Sequence, residues 1–206
     1  MPASIVVIGS LNMDFVFAVE RLPLPGETIL GRNFRMIPGG KGANQAFAAA
    51  KLASSETAVR MIGRIGADAF GRILKANLSA AGVDVAAVLE TVSEATGVAC
   101  IHVDDAGQNS ITVAAGANTA LLVADIDSQR RALEGAGSVL LQLETPLETV
   151  AEGLRQARRL SNREMRSGPD ARERRELPPG RHARILSWTG ENGRCECRAT
   201  DRAGAL

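Results

Sequence analysis

Three sets of polar residues in this chain have the types and spacing to hold an oxygen-rich small molecule. The first is the run Pro38-Gly39-Gly40-Lys41-Gly42-Ala43-Asn44-Gln45-Ala46, in which glycines surround a lysine and an alanine-rich helical pattern follows at once. A helix start leaves backbone N–H groups unpaired and carries partial positive charge. Glycines before it let a ligand come close to the backbone. Lys41 and Asn44 add side-chain donors to the same spot. The run is not a P-loop, because no Ser or Thr follows the lysine and the glycine spacing differs, nor does it match the dinucleotide-binding pattern. A glycine turn that only lets a helix pack on a sheet would read the same way, so this stretch alone leaves both readings open. The second set is Asn12 with Asp14, and the third is Glu144.

The elements that must position these groups alternate between strand and helix. Ser4 to Gly9 is a short continuous apolar run, which reads as a buried parallel strand. Asn12 and Asp14 then fall just beyond its carboxyl end, where ligands bind in open α/β sheets. Phe15 to Val19 and Thr28 to Ile37 are extended patterns with no helix between them, and read as a hairpin-type excursion anchored by Phe15 and Phe17. Lys41 to Leu52 is expected to be a helix with Ala43, Ala46, Phe47 and Ala50 on one face. Thr57 to Ile62 reads as a strand, and Gly63 to Asp68 as the turn into a helix capped by Asp68 and ended by Gly82. Val83 to Val92 is extended. Thr96 to Val103 and Asn109 to Val113 flank a hairpin turn at Asp104-Asp105-Ala106-Gly107. A helix is expected around Ala124 to Glu134, and a buried strand from Ser138 to Leu143 with Glu144 at its carboxyl end. Thr145-Pro146-Leu147-Glu148 has the form of a capping box with proline at the first helical position. The fold class is therefore α/β: a parallel sheet flanked by helices and carrying a small β flap. Two carboxylates, two amides and an ammonium on one sheet edge suit a polyol.

The 206 residues are enough for one good core, and a hydrophobic fraction of 45% supports a globular chain. A net charge of +1 argues for neither nucleic acid nor membrane as partner. No apolar run approaches the roughly 20 residues that span a bilayer, and the first residues do not read as a signal peptide. Cys100, Cys195 and Cys197 form no disulfide framework, so a reducing cytoplasm is the expected location. His102 reads as an ordinary flap-strand side chain. Cys195, Cys197 and the distant His182 do not make a tetrahedral metal site.

Several runs together resemble the ribokinase (PfkB-type) family of carbohydrate kinases. They are Gly9-Ser10-Leu11-Asn12-Met13-Asp14, Pro25-Gly26-Glu27-Thr28, Gly39 to Ala46, Gly63-Arg64-Ile65-Gly66-Ala67-Asp68-Ala69-Phe70-Gly71, Thr96-Gly97-Val98-Ala99, Ala115-Gly116-Ala117-Asn118 and Gln142-Leu143-Glu144-Thr145-Pro146. The match runs from about residue 4 to about residue 159, the N-terminal portion only, and looks closest to the ribose-specific members. The resemblance implies ATP-dependent phosphorylation of a sugar hydroxymethyl, for ribose at O5, with Mg²⁺ and a monovalent cation (K⁺) as cofactors. It implies substrate contacts from Asn12, Asp14, Gly40, Lys41, Gly42, Asn44 and Glu144. The flap, residues 15–37 and 96–113, would be a lid and a homodimer contact.

The late part of the chain departs from the family. Its catalytic aspartate belongs to a Gly-Ala-Gly-Asp run, and no such run occurs here. The nucleotide-binding strands and the cation loop have no counterpart either. Residues 160–206 hold ten Arg and seven acidic residues, no Lys or Val, and five Leu or Ile. That is too little apolar surface for a packed core, so this segment is expected to be a poorly ordered, arginine-rich tail. Arg172-Glu173-Arg174-Arg175-Glu176 and Arg194-Cys195-Glu196-Cys197-Arg198 read like out-of-frame translation of a GC-rich gene. The expected protein is thus a truncated or frameshifted, inactive sugar kinase. A non-catalytic sugar-binding or dimerising fragment, or a kinase for another sugar or nucleoside, remain the alternatives.

Overall fold

The computed structural model describes residues 4–167 and 182–185, with side chains described as far as residue 158. Two sheets make up the fold. The larger contains β1 (Ser4–Ile8), β4 (Ala58–Gly66), β5 (Val83–Thr91), β8 (Ser138–Leu141) and β9 (His182–Ile185), in the order β5-β4-β1-β8-β9, and every neighbouring pair is parallel. The smaller contains β2 (Asn12–Ala18), β3 (Arg32–Gly39), β6 (Gly97–Val103) and β7 (Asn109–Ala114), in the order β3-β2-β6-β7. The two hairpins of the smaller sheet join through a parallel β2–β6 pair, so the expected flap is one four-stranded sheet.

β1 sits between β4 and β8, and its alternation divides the core. Val7 packs with Ala43 and Ala46 of α1 (Lys41–Leu52) and with Leu74 and Leu78 of α2 (Ala69–Ala80). Val6 and Ile8 point the other way. They meet Ile126 of α3 (Val123–Ser128), Leu133 of α4 (Arg130–Glu134) and Val150 and Ala157 of α5 (Leu147–Ser167). Each such buried aliphatic side chain contributes about 1.5–3 kcal/mol. Helices on both faces explain why β1 reads as a continuous apolar run.

Several boundaries differ from the sequence reading. β4 does not stop at Ile62 but continues to Gly66, because Ile65 is buried and the ladder with β5 extends to Gly66 opposite Thr91. The helix expected over 124–134 is two short helices that break at Gln129, where the amide bonds back to the Ile126 carbonyl, an i→i+3 step. Phe47 lies at the surface, 37% exposed, under the Lys51 ammonium rather than in the core. Asp68 does cap α2, accepting from the Gly71 amide. Thr145 does not cap α5, since its buried hydroxyl has no partner; Pro146 starts the turn through its carbonyl. Of residues 160–206, the structure describes the end of α5 and β9, and the rest of the expected tail lies outside the described residues. No helix among the described residues is long and apolar enough to cross a membrane.

Candidate functional site

The carboxyl edge of the large sheet is where the chain passes into the small one. After β1, Gly9-Ser10-Leu11 carries the chain across. Gly9 leaves room for the Gln142 side chain, which donates to the Ile8 carbonyl at 3.0 Å and accepts from the Ser10 amide at 3.4 Å. The chain returns along β3 and turns into α1 at Gly40. There φ is 92°, and a Cβ would stand 2.7 Å from the Asn12 nitrogen. Only glycine fits both conditions. Gly42 is as tightly placed, with a would-be Cβ 2.7 Å from Gly9 C and from Ser10 N. The Ala43 amide then donates to the Ser10 carbonyl at 2.9 Å, which fixes the first turn of α1 on the end of β1.

Glu144 gathers this corner. Its Oε1 pairs with Lys41 Nζ at 2.5 Å. Its Oε2 accepts from Ser10 Oγ at 2.7 Å and from the Lys41 amide at 3.4 Å. α1 has no side-chain cap and no acidic residue in its first turn, so the glutamate from a distant loop takes the place such a residue would fill. Burial by itself would raise the Glu144 pKa. The bonds from Lys41 and Ser10 outweigh burial and hold it below the ordinary glutamate value. Asp14 goes the other way, raised first by burial and then by the nearby Glu144 charge. Two neighbouring carboxylates are therefore unlike: Glu144 is committed to Lys41, whereas Asp14 accepts no hydrogen bond from the described residues.

Asn12 and Asp14 lie just beyond the carboxyl end of β1, as the sequence predicts, and there they open β2, opposite Gly39 and Ile37 of β3. Two residues apart, they share one face of the flap. Gly39 makes space for the Asp14 carboxylate, which would lie 2.2 Å from a Cβ there. Gly40, Lys41, Gly42, Asp14 and Glu144 thus meet in one corner, with Asn12 beside them. Asn44 stands one turn along α1 from Lys41, exposed, and has no side-chain partner among the described residues.

Two further residues matter that sequence reasoning did not single out. Ser10 bridges Glu144 and the Gly42 amide. Asn118, in the 3₁₀ turn Gly116–Ala120, is buried against Leu11 and Asn12. The available signal was a small polar residue directly after a strand, and the asparagine that closes Ala115-Gly116-Ala117-Asn118.

As a chemical device, the corner offers an acceptor-only carboxylate, an amide, a charged donor already paired, and a glycine-lined helix start. That set has the chemistry to suit neighbouring hydroxyl groups. The comparisons place the chain in a family. Residues 2–173 match the sequence profile described as "pfkB family carbohydrate kinase". The chain is 41% identical to the ribokinase of Bacillus subtilis over 149 residues, 72% of this chain and 50% of that one. The solved ribokinase of Giardia lamblia superposes with a TM-score of 0.73 at 30% identity, covering 79% of this chain and 49% of that one. An Arabidopsis thaliana ribokinase "complexed with Ribose and ATP" superposes with a TM-score of 0.64 at 36% identity, covering 76% and 51%. The chain spans about half the length of the curated relatives it matches. With its sheet order, its flap and its glycine-lysine corner in place, this chain belongs to the pfkB family of carbohydrate kinases.

Proposed function

We propose that the corner formed by Asn12, Asp14, Gly40, Lys41, Gly42, Asn44 and Glu144 binds D-ribose. The protein activity it serves is ATP-dependent phosphorylation of ribose at O5. The observation that carries this reading is the pairing of a free, partly buried Asp14 with a Glu144 that holds Lys41 and the start of α1. Asp14 accepts hydrogen bonds from two adjacent sugar hydroxyls. Asn12 and Asn44 complete the contacts with their amides, and Gly40 and Gly42 let the sugar lie against the backbone. The four-stranded sheet closes over the sugar as a lid and excludes water. It leaves apolar side chains exposed on both faces, Phe34 and Met36 on the face of Phe15 and Ile111 and Val113 on the face of Asp14, and such uncovered surface suits a homodimer through the lid. The soluble cytoplasm suits such an enzyme.

ATP, when bound, would supply the phosphoryl group and Mg²⁺ would offset the charge on its phosphates, with K⁺ as the monovalent cofactor. The sequence has no Gly-Ala-Gly-Asp run to supply a base for that half of the reaction. No transfer step is therefore assigned to residues of this chain. The 206-residue chain on its own is expected to bind ribose without turning it over. A positioned base contributes about 10²–10⁴-fold and a lost oxyanion donor costs about 10²–10³-fold. The test is a pair of measurements on the purified chain: ribose titration by calorimetry, and ADP release with ribose, ATP, Mg²⁺ and K⁺. Ribose-dependent heat without turnover is the expected result. No ribose binding refutes the site, and turnover in the ordinary kinase range of about 1–100 s⁻¹ refutes the division of labour.

A further inference from the structure

Asn118 is 1% exposed and lies where the passes between the two sheets converge. Its Oδ1 accepts from the Leu11 amide at 2.9 Å. Its Nδ2 donates to the carbonyls of Leu11 at 3.1 Å and Ala115 at 2.9 Å. A backbone N–H only donates and a carbonyl only accepts, so these three contacts admit one orientation of the Asn118 amide. The same Nδ2 lies 2.8 Å from the side-chain oxygen of Asn12, so its two hydrogens are shared among three acceptors. Facing a group that only donates, Asn12 turns its oxygen that way. Its own NH₂ is left over, with no partner among the described residues. Gly97 keeps this bond possible, since a Cβ there would fall 2.2 Å from Asn12 Oδ1 and 2.3 Å from Asn118 Nδ2.

We propose that Asn118 is a positioning residue that locks the Asn12 amide, so that Asn12 turns its NH₂ rather than its oxygen toward the ligand. This deepens, and rests on, the sugar-site reading. The chain of constraint starts at the backbone of Leu11 and Ala115 and ends at the ligand. The specificity that follows is polar. Asn12 reads a lone pair on a ligand oxygen, while Asp14, on the same face of β2, reads a hydroxyl proton. A hydroxyl satisfies Asn12, as does an ether or carbonyl oxygen. An ammonium group at that position has no lone pair and is refused.

The first test needs no variant. In the ¹⁵N-labelled, unmodified chain, side-chain amide exchange with solvent is followed by NMR with and without D-ribose. Without sugar, the Asn118 protons are expected to exchange at least about tenfold slower than those of Asn12, because both side chains are buried but only the Asn118 NH₂ is hydrogen-bonded. Saturating ribose then slows Asn12 exchange and leaves Asn118 unchanged. Asn12 as protected as Asn118 in the free protein overturns the lock. A ribose titration that moves no resonance instead refutes the sugar site, and the free-protein pattern still decides the lock by itself.

The second test is a double-mutant cycle. Asn118→Ala is expected to raise the ribose Kd about tenfold, the worth of one well-placed hydrogen bond. In an Asn12→Ala background the same change adds less than about twofold, because nothing is left to orient. An equal loss in both backgrounds is what a merely structural role produces, and it overturns the proposal. Should Asn118→Ala not fold, the exchange measurement on the unmodified chain stands as the deciding result.

Discussion

Replacing either of two helical glycines by alanine should give unequal outcomes, a clear loss at Gly42 and little change at Gly153. In an open helix position, Gly→Ala stabilises by up to about 1 kcal/mol. At Gly42 the new Cβ would lie 2.7 Å from Gly9 C and Ser10 N and 2.8 Å from the Ser10 carbonyl oxygen. All three are backbone atoms at the end of the central strand, so no rotamer change relieves the contact. To reach ordinary contact at 3.4 Å the start of α1 must back away, which strains the Ala43–Ser10 bond and the Lys41–Glu144 contact. Overpacking costs about 1–3 kcal/mol, and a rigid neighbour places Gly42→Ala at the upper end. After the helix gain, the net loss is about 1–2 kcal/mol. At Gly153 in α5 the new Cβ meets Ile8 Cδ1 at 2.7 Å and Leu141 Cδ2 at 3.2 Å. Both are side-chain tips that can turn aside. The clash then roughly offsets the helix gain, and Gly153→Ala is expected within about 0.5 kcal/mol of the parent. Urea unfolding followed by far-UV circular dichroism measures both, with an unchanged m-value as the check that only stability moved. Gly42→Ala as stable as the parent, or Gly153→Ala costing more than Gly42→Ala, would refute the reasoning.

Three other outcomes follow from the hydrogen-bond networks. Asn118→Ala strands the fully buried Leu11 amide and the Asn12 oxygen; at about 1–3 kcal/mol per unsatisfied group, urea melts should show a loss of about 3 kcal/mol, and a loss below about 1 kcal/mol contradicts the burial. Asp68 and Glu144 both titrate below their ordinary values of 3.8 and 4.5 despite burial, held down by their donors. Their stabilisation is therefore complete above those values and drains away as pH falls through the lower folded ones; the urea midpoint should drop between pH 5 and 3 in the parent and drop less in Asp68→Ala and Glu144→Gln. Finally, Glu144→Gln removes a charge that raises Asp14, so the Asp14 carboxyl should titrate lower by ¹³C NMR, and an unmoved Asp14 would separate the two groups.

The parts legible in the sequence are those whose information is local. β1 and β8 announce themselves as apolar runs because both faces are covered. α2 is bounded by its own cap at Asp68 and its own φ of 90° at Gly82. Asp14, Lys41 and Glu144 could be placed at one edge because each follows a strand or opens a helix. What escaped notice depends on partners far along the chain. The extended run reads from Phe15, whereas β2 already starts at Asn12, because nothing nearby signals that β6, some 85 residues on, pairs with Asn12 and Asp14 as strand. The end of β4 at Gly66 is set by β5 in the same way. Asn118 has no local reason to matter: its bonds to Leu11 cross 107 residues. The apparent capping box at Thr145 failed for the converse reason. Its pattern is local, but the turn it would cap is held by other contacts, including Thr149 bonded to the Leu121 carbonyl.

These separations also carry a temporal consequence. The bonds that close the candidate site join Ser10 to Glu144, Lys41 to Glu144 and Ile8 to Gln142, spanning 134, 103 and 134 residues. On a ribosome adding about 5–20 residues per second, the glycine-lysine corner exists for roughly ten seconds before its glutamate is made. During that interval β1 has β4 on one side and nothing on the other, since β8 is also still to come. The binding corner thus closes only once Glu144 has been made. A nascent chain that stalls before Glu144 presents an open strand edge beside an unpaired lysine, which makes it a substrate for chaperones rather than for sugar.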